Sequence, residues 1–317
     1  MGNKQLPVIA LMGTTATGKT DAAASLSNCF NGEIISVDSS LVYTGMDIGT
    51  AKPNLEFLQQ YPHHLLDIRH PNDSYSVADF YQDATSLIED ITARGKIPIL
   101  AGGTHFYFSA LESGVSQLPQ ANPELRAQID KQANQEGWAT LHQRLAVLDP
   151  ESAARIDRKD AQRIQRALEI VLESGRTVAS HNALRKPPIE NPMIKIALAY
   201  SDRSYLHARI EQRFDLMLEQ GLQAEVEGLL NSGVDRSASS MRMIGYRQML
   251  DFLQNDLTYD DMRRKGIAAT RQLAKRQLTW LRNSANVIWW VDFGLKDKNF
   301  APLQALVSEF VKQTSPS

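Results

Sequence analysis

A single stretch, Gly13-Thr-Thr-Ala-Thr-Gly18-Lys19-Thr20, matches the pattern G-x-x-x-x-G-K-T and directly follows an apolar run at residues 6–12. The run predicts a buried strand and residues 19–30 predict a helix, which is the strand–loop–helix context of a phosphate-binding loop. Glycines allow a tight turn in which several backbone N–H groups converge on one anion, and the helix N-terminus adds partial positive charge. A lysine at this place pairs with the terminal phosphate, and the following threonine ligates Mg²⁺. Rather than an empty glycine-rich turn, we predict a diphosphate or triphosphate site with Thr20 as metal ligand, formed by Gly13, Thr14, Thr15, Ala16, Thr17, Gly18, Lys19 and Thr20.

The composition is that of an ordinary globular chain. Its 317 residues suffice for one large domain or two smaller ones, and 43% of them are hydrophobic. The sequence has no apolar stretch long enough to span a membrane and no signal-peptide pattern. We therefore expect a soluble cytoplasmic enzyme with no membrane partner. The single cysteine, Cys29, excludes a disulfide framework and is expected to be a small buried side chain. The net charge of −2 gives no overall attraction for nucleic acid, so any nucleic-acid partner must bind to local clusters of basic residues.

Strands and helices alternate over the first third of the chain. Residues 32–37 and 97–101 form further short apolar runs that predict buried strands. Between them, Ser76-Val-Ala-Asp79 has the pattern of a capping box and opens a predicted helix. Repeated alternation of this kind predicts an α/β fold with a P-loop NTPase-like parallel sheet and helices on both faces.

The pattern changes after about residue 113. The sequence is helical from 122 to about 176, and an apolar strand returns at 194–200. We predict a P-loop α/β catalytic core with C-terminal helices at residues 1–113 and 194–317, and a helical insertion domain at 114–193. The final residues, 314–317, are expected to be a frayed tail.

Two polar segments follow strands of the predicted sheet. Asp38 comes directly after the strand at 32–37, on the side of the sheet where the phosphate loop lies. Its carboxylate is suited to holding Mg²⁺ or to accepting a proton from an acceptor substrate, and the alternative is a simple Asx turn or helix cap. Gly102-Gly103-Thr104 ends the strand at 97–101, where glycines permit close approach of a ligand and Thr104 offers a hydroxyl. Because no aspartate ends that strand, an ordinary NTPase is disfavoured.

Two basic clusters stand out in this mildly acidic chain. The first lies in the helical insertion and consists of Arg155, Arg158, Lys159, Arg163 and Arg166. The second, between residues 242 and 282, contains nine cations and four acids. Helical faces of this kind are suited to following a phosphate backbone, and we expect Tyr246 and Trp280 to stack on bases. A solvated helix face is the alternative, but two clusters together favour a nucleic-acid partner.

A series of further motifs follows the phosphate loop in a specific order. These are Gly32–Ser39, Val42-Tyr43, Gly45–Pro53, Pro62–Ile68, Tyr75–Phe80, Arg94–Thr104, Gln162–Glu169, Arg242–Arg247 and Arg271–Arg282. Together with the loop, they closely resemble the tRNA dimethylallyltransferase family, also called tRNA isopentenyltransferases, in its bacterial form. The resemblance spans nearly the whole chain, and it implies the P-loop fold predicted above.

The resemblance also implies an activity. The family transfers a dimethylallyl group from dimethylallyl diphosphate to the exocyclic N-6 amine of the adenine 3′ to the anticodon of tRNA, and releases diphosphate. It implies Asp38 as the general base, Thr104 as the residue that helps to position the reacting groups, and Arg213 as the stabiliser of the diphosphate. Mg²⁺ is the cofactor that the phosphate loop predicts. A monomer is expected, with the helical insertion clamping the anticodon stem-loop while the target base turns out toward the diphosphate.

The same resemblance implies the residues that face tRNA. They comprise Asp38, Ser39, Ser40, Leu41, Thr104, Arg126, Gln162, Arg163, Ile164, Gln165, Arg166, Arg242, Met243, Ile244, Gly245, Tyr246, Arg247, Lys275, Arg276, Gln277, Leu278, Thr279, Trp280, Leu281 and Arg282. Three residues, in two segments, depart from the family pattern. His105-Phe106 stands where the family often has Gly or Met and then Leu, and Thr44 stands where a basic residue is frequent.

Two other classes of protein stay open from the residues alone. A P-loop kinase acting on a small molecule or nucleoside would use the phosphate loop and Asp38, but it leaves the basic clusters unexplained. A nucleotide-switched RNA-binding protein without chemistry of its own would tolerate the loss of Asp38, which a transferase would not.

Overall fold

The computed structural model describes residues 5–183, 185–292 and 298–314. Two compact units make up the chain: Met1–Ser109 with Ile189–Ser317, and Ala110–Pro188. The helices are, in chain order, α1 (Lys19–Phe30), α2 (Leu55–Gln60), α3 (Val77–Ala93), α4 (His105–Ser113), α5 (Pro123–Glu136), α6 (Trp138–Leu148), α7 (Pro150–Arg155), α8 (Ala161–Ser174), α9 (Val178–Asn182), α10 (Arg203–Glu219), α11 (Leu222–Asn231), α12 (Tyr246–Leu253), α13 (Tyr259–Arg282) and α14 (Ala301–Thr314), with a short 3-10 helix at Ser240–Arg242.

The first unit is built around a parallel sheet, which has six strands among the described residues. The strands are β1 (Val8–Gly13), β2 (Gly32–Val37), β3 (His63–His64), β4 (Ile97–Gly102), β5 (Met193–Ala199) and β6 (Val287–Val291). Their order across the sheet is β3-β2-β4-β1-β5-β6. Central β1 is buried along its whole length, as a continuous apolar run predicts for a parallel strand covered on both faces. The predicted α/β fold with a parallel sheet is confirmed.

The carboxyl ends of β1, β2 and β4 meet at one edge of the sheet. Gly102 of β4 lies in register with Met12 on one side and with Val37 on the other. A Cβ atom at Gly102 would lie 2.0 Å from the carbonyl oxygen of Val37, so no larger residue fits there. The phosphate loop, Asp38 and Thr104 directly follow these three strands and therefore emerge side by side.

Local predictions in the first unit have mixed outcomes. The capping box at Ser76 and Asp79 is confirmed, with both reciprocal hydrogen bonds present at the start of α3. The prediction that Cys29 is buried is wrong, because the packed segment of α1 ends at Leu26 and Cys29 is exposed in the last turn. Of the predicted tail, Thr314 ends α14, whereas 315–317 lie outside the described residues.

The second unit contains helices and no strand in its described residues, 110–183 and 185–188. Its core is formed by buried apolar side chains of α5, α6, α7 and α8, among them Ile129, Leu145 and Ile164. Over the described part of the whole chain, no helix combines the length and the apolar composition that crossing a membrane would need.

Candidate active site

A cavity of about 650 Å³ lies at the sheet edge where β1, β2 and β4 end, within the first unit. Its lining comes from the phosphate loop, the segments that follow β2 and β4, residues 49–53, and helices α10 and α13. Ligands of open parallel sheets bind at the carboxyl ends of the strands, and this volume suits a small organic ligand. Asp38, Thr104 and Arg213, three residues predicted from separate parts of the sequence, all line this one cavity.

The phosphate loop is held closed by hydrogen bonds among its own residues. Lys19 Nζ donates to the carbonyl oxygen of Thr14 at 2.5 Å, and the Thr17 hydroxyl donates to the same oxygen at 2.8 Å. Ala16 and Gly18 have φ angles of 63° and 83°, left-handed conformations that turn the loop into the start of α1. The pKa of Lys19 is lowered to about 8 by burial, which the neighbouring Asp38 carboxylate opposes and Arg213 reinforces. Lys19 is therefore a cation at neutral pH and is poised to lose its charge in mildly basic solution.

Asp38 and Thr104 are joined through Ser39. The backbone N–H of Ser39 donates to Thr104 Oγ1 at 3.1 Å, and the N–H of Thr104 donates to the Val37 carbonyl oxygen at 3.1 Å. Asp38 Oδ1 accepts hydrogen bonds from the backbone N–H and the hydroxyl of Ser40, at 2.9 and 2.6 Å. The local Asx turn is thus present, and it orients a carboxylate that lines the cavity.

Two arginines of α10 reach the cavity from one helix face. Arg213 donates to the carbonyl oxygen of Thr50 at 3.1 Å, and burial lowers its pKa while the Asp38 carboxylate opposes that shift. Arg209, one turn earlier, donates through Nε to the carbonyl oxygen of Ala16 at 2.8 Å. Arg209 is not among the residues predicted from the sequence, although its spacing of four residues from Arg213 places both on one side of a helix.

A partly buried carboxylate fixes the loop that Arg213 contacts. Glu225 of α11 accepts hydrogen bonds from the backbone N–H groups of three consecutive residues, 47 to 49, at 2.8, 2.6 and 3.0 Å. The Tyr246 hydroxyl donates to the same carboxylate at 2.6 Å, and its ring leaves no room for a Cβ at Gly49. The prediction that Tyr246 stacks on a base is therefore wrong, since its side chain is fully buried against this loop.

His105 occupies a buried position behind the site. Its ring stacks on Trp280 of α13, with centroids 5.4 Å apart and planes inclined by 12°. Among the described residues neither ring nitrogen has a hydrogen-bond partner. Burial lowers the pKa of His105 to about 4, and the charge of Lys19 adds to the shift. The imidazole is accordingly neutral at physiological pH.

His105 should make the protein less stable in acid. The folded protein holds His105 neutral down to about pH 4, whereas the unfolded chain binds a proton below about pH 6.5, so stability falls as the pH drops. Between pH 7 and pH 5 we expect wild type to lose about 2 kcal/mol more unfolding free energy than His105→Phe. Denaturant titrations at both pH values measure the difference, with exposed His207→Phe as the control. Equal losses in wild type and His105→Phe would contradict the assignment.

Most of the residues predicted to face RNA in the first unit fall into two groups. Those that line the cavity itself are Asp38, Ser39, Ser40, Leu41, Thr104, Met243, Ile244, the buried Tyr246 and Gln277. The side chains that are exposed are Arg242, Arg247, Lys275, Arg276, Thr279, Trp280 and Arg282. Leu281 is fully buried, so the prediction that it faces RNA is wrong for its side chain.

In the second unit, two of the predicted RNA residues, Arg126 and Arg166, hold a buried carboxylate. Glu169 is fully buried and accepts from Arg126 Nε at 3.0 Å, from Arg166 at 2.6 Å and from the Asn122 N–H at 2.7 Å. Burial alone would raise the pKa of Glu169, but the two arginines hold it below its ordinary value. Arg126 and Arg166 are thus fixed in place and remain about 41% and 31% exposed. Ile164, by contrast, belongs to the core.

The predicted magnesium site has few protein ligands to offer. The described residues contain no group of three or more His, Cys, Asp or Glu side chains that could hold a metal ion. Thr20 is exposed at the mouth of the phosphate loop, and its hydroxyl is the type of single ligand that Mg²⁺ accepts when substrate phosphates and water complete the shell. The residues present fit a metal ion that enters with a phosphorylated ligand.

Comparison with known proteins places this chain in a family. The family model described as IPP transferase matches residues 41–284. A curated protein from Methylobacillus flagellatus, the tRNA dimethylallyltransferase of that bacterium, is 51% identical over 281 residues, which cover 88% of this chain and 89% of that protein.

Solved structures agree with this assignment. The tRNA isopentenylpyrophosphate transferase of Bacillus halodurans is 36% identical, with a TM-score of 0.71 and 98% of both chains covered. A eukaryotic dimethylallyltransferase, solved while acting on tRNA, superposes with a TM-score of 0.79 at 27% identity, over 98% of this chain and 80% of that one. The protein therefore belongs to the tRNA dimethylallyltransferase (IPP transferase) family of prenyltransferases.

Proposed function

We propose that this enzyme transfers the dimethylallyl group of dimethylallyl diphosphate to the N-6 amine of the adenine 3′ to the anticodon of tRNA, and that it releases diphosphate. The observation that carries the proposal is the meeting of a phosphate loop, an oriented carboxylate at Asp38 and the Thr104 hydroxyl in one cavity.

The phosphate loop would hold the leaving group. Lys19 and the loop N–H groups meet the diphosphate oxygens, while Arg213 and Arg209 approach from α10. An adenine amine is a weak nucleophile, so stabilising the negative charge that develops on the diphosphate is the main catalytic contribution. Thr20 would hold Mg²⁺ together with the donor phosphates, and the ion would neutralise part of the diphosphate charge.

The chemical step needs one proton acceptor. The bond between the donor C1 carbon and the diphosphate oxygen breaks, the bond between N-6 and C1 forms, and the amine loses one proton. Asp38 is the acceptor in this proposal, because its carboxylate is held by Ser40 at the cavity wall. Thr104, tied to the backbone of Ser39, would orient the amine toward the donor.

The second unit, predicted as a domain at 114–193, would clamp the anticodon stem-loop. Arg126 and Arg166 are suited to phosphate contacts because Glu169 has already fixed their guanidinium groups, which lowers the entropy lost on binding. The target adenine must leave the base stack to reach a cavity inside the first unit, as in other base-modifying enzymes. Trp280 is partly exposed and offers a face for stacking.

The decisive experiment is incubation with labelled dimethylallyl diphosphate and bulk bacterial tRNA, without ATP, followed by nucleoside analysis. The proposal expects labelled N-6-dimethylallyl adenosine and stoichiometric diphosphate. Phosphate transfer from ATP to a small acceptor would instead establish the kinase alternative. RNA binding without any transfer would establish the nucleotide-switched binder.

Arg247 and Lys275 provide a test of the RNA surface. Both side chains are exposed, so their neutralisation to Gln removes charge without leaving a buried partner. We expect weaker binding of an anticodon stem-loop and a salt slope reduced by about one unit per cation, because fewer counterions are released. Filter binding across a salt series measures both quantities.

Arg264→Gln is the matched control for this test, since Arg264 is an exposed cation on α13, the helix of Lys275, and pairs with Asp261. The variant replaces Arg247 and Lys275 together and leaves Arg166 unchanged. Loss of Arg166 would deprive buried Glu169 of a partner and destabilise the second unit. Unchanged affinity and salt dependence in the double variant would place the RNA surface elsewhere.

A further inference from the structure

Gln277 of α13 bridges two segments of the active site that are far apart in sequence. Its Oε1 accepts a hydrogen bond from the backbone N–H of Thr15 in the phosphate loop at 3.0 Å. Its Nε2 donates to the carbonyl oxygen of Gly103, after β4, at 2.9 Å. One partner is a pure donor and the other a pure acceptor, so the orientation of the amide is fixed by its surroundings.

The structure around this bridge leaves little freedom. A Cβ atom at Gly103 would lie 2.5 Å from Gln277 Nε2, so the close approach depends on glycine. On the other side, the loop residue next to Thr15 is held by Arg209, which donates to the Ala16 carbonyl oxygen. The phosphate loop is thus hydrogen-bonded to Arg209 of α10 and to Gln277 of α13.

Helix α13 presents different residues to the cavity and to the outside. Thr270, Leu273 and Gln277 recur at the spacing of one helix face and line the cavity. Lys275 and Arg276 lie in a separate surface groove with Trp280. The amide of Gln277 therefore points into the donor cavity and away from the exposed cations.

We propose that Gln277 is a positioning residue for the prenyl donor, and that it is not a ligand of RNA. It sets the distance between the phosphate loop, which holds the diphosphate, and the segment that carries Thr104. The inference rests on the proposed function, because it assigns the loop to the diphosphate of the donor. Displacements of about 1 Å between reacting groups are enough to cost about 10²-fold in rate.

The test uses Gln277→Met, which keeps the length and volume of the side chain and removes both hydrogen bonds. We expect kcat/KM for the donor to fall by about 10- to 100-fold, with a higher KM for the donor. Binding of inorganic diphosphate with Mg²⁺, measured by calorimetry, should weaken by about tenfold, while the affinity for an anticodon stem-loop stays within about twofold of wild type.

Gln304→Met is the matched control, because the Nε2 of Gln304 donates to the carbonyl oxygen and the hydroxyl of Ser25 and so joins α14 to α1, away from the cavity. The control should lower the melting temperature about as much as Gln277→Met does, but it should leave diphosphate binding unchanged. Gly103→Ala perturbs the same bridge from its other side. In a double-mutant cycle with Gln277→Met the two effects should be clearly less than additive, as expected for residues that act through one contact.

Three results would overturn the inference: diphosphate affinity unchanged in Gln277→Met, RNA affinity reduced as much as activity, or additive effects in the cycle. Failure of the proposed function would look different. A wild-type protein that binds diphosphate but transfers no prenyl group refutes the function, while the diphosphate titrations still decide the role of Gln277.

Discussion

Asp38→Asn is expected to slow prenyl transfer by about 10²- to 10⁴-fold while leaving donor and tRNA affinities near their wild-type values. The substitution keeps an oxygen that can accept the hydrogen bonds from Ser40, so the turn after β2 is preserved. It removes the basic lone pairs that would take the proton from the adenine amine. Single-turnover kinetics with saturating donor and tRNA isolate the chemical step from binding.

Asp235→Asn is a matched control for this substitution. Asp235 accepts hydrogen bonds from the N–H and the hydroxyl of Ser237, two residues on, at 2.7 and 2.8 Å, which is the same arrangement as at Asp38. Asp235 does not line the cavity, so its replacement should affect the local turn and not the rate. A rate for Asp38→Asn equal to that of the control would show that Asp38 is a turn residue and that the proton acceptor lies elsewhere.

The arrangement of the site could be predicted from sequence where it follows from parallel-sheet geometry. The phosphate loop, Asp38 and Thr104 each come directly after an apolar run, and the carboxyl ends of neighbouring parallel strands share one edge. Once the runs were assigned to strands, the proximity of these residues followed.

The contacts that hold the site in shape could not be predicted in this way. Gln277 is 262 residues from Thr15, and Arg209 is 193 residues from Ala16. No periodicity in either helix indicates which loop its side chains reach, because that depends on how the helices pack on the sheet. The Glu225 carboxylate accepts hydrogen bonds from three backbone N–H groups, and no pattern in the sequence predicts this contact.

The basic clusters in the sequence do not show which of their residues are exposed and which are held by buried partners. Arg163 and Arg166 lie three residues apart in one predicted cluster, yet Arg163 is well exposed whereas Arg166 is held by buried Glu169. Tyr246 lies among exposed arginines in the sequence, but it starts α12 and packs inward. Burial of single residues at helix starts depends on tertiary packing, which a local charge pattern does not contain.

Lys19→Met is expected to weaken donor binding and slow transfer together, by about 10²- to 10³-fold in kcat/KM, because one charge that meets the diphosphate in both the ground state and the transition state is lost.

The lowered pKa of Lys19, about 8, also makes the affinity for diphosphate depend on pH. The ammonium is charged below pH 8 and is lost as the pH rises through that value, so wild-type affinity for diphosphate should fall above pH 8 by up to about tenfold per pH unit. Calorimetric titration of diphosphate from pH 7 to pH 9.5 measures this dependence, and Lys19→Met should lose the fall in affinity, so that only the titration of diphosphate itself remains. The control Lys312→Met, at an exposed lysine of α14, should retain the full pH dependence. A wild-type affinity that stays constant to pH 9.5, or a Lys19→Met variant that binds diphosphate like the control, would show that the lysine does not contact the donor.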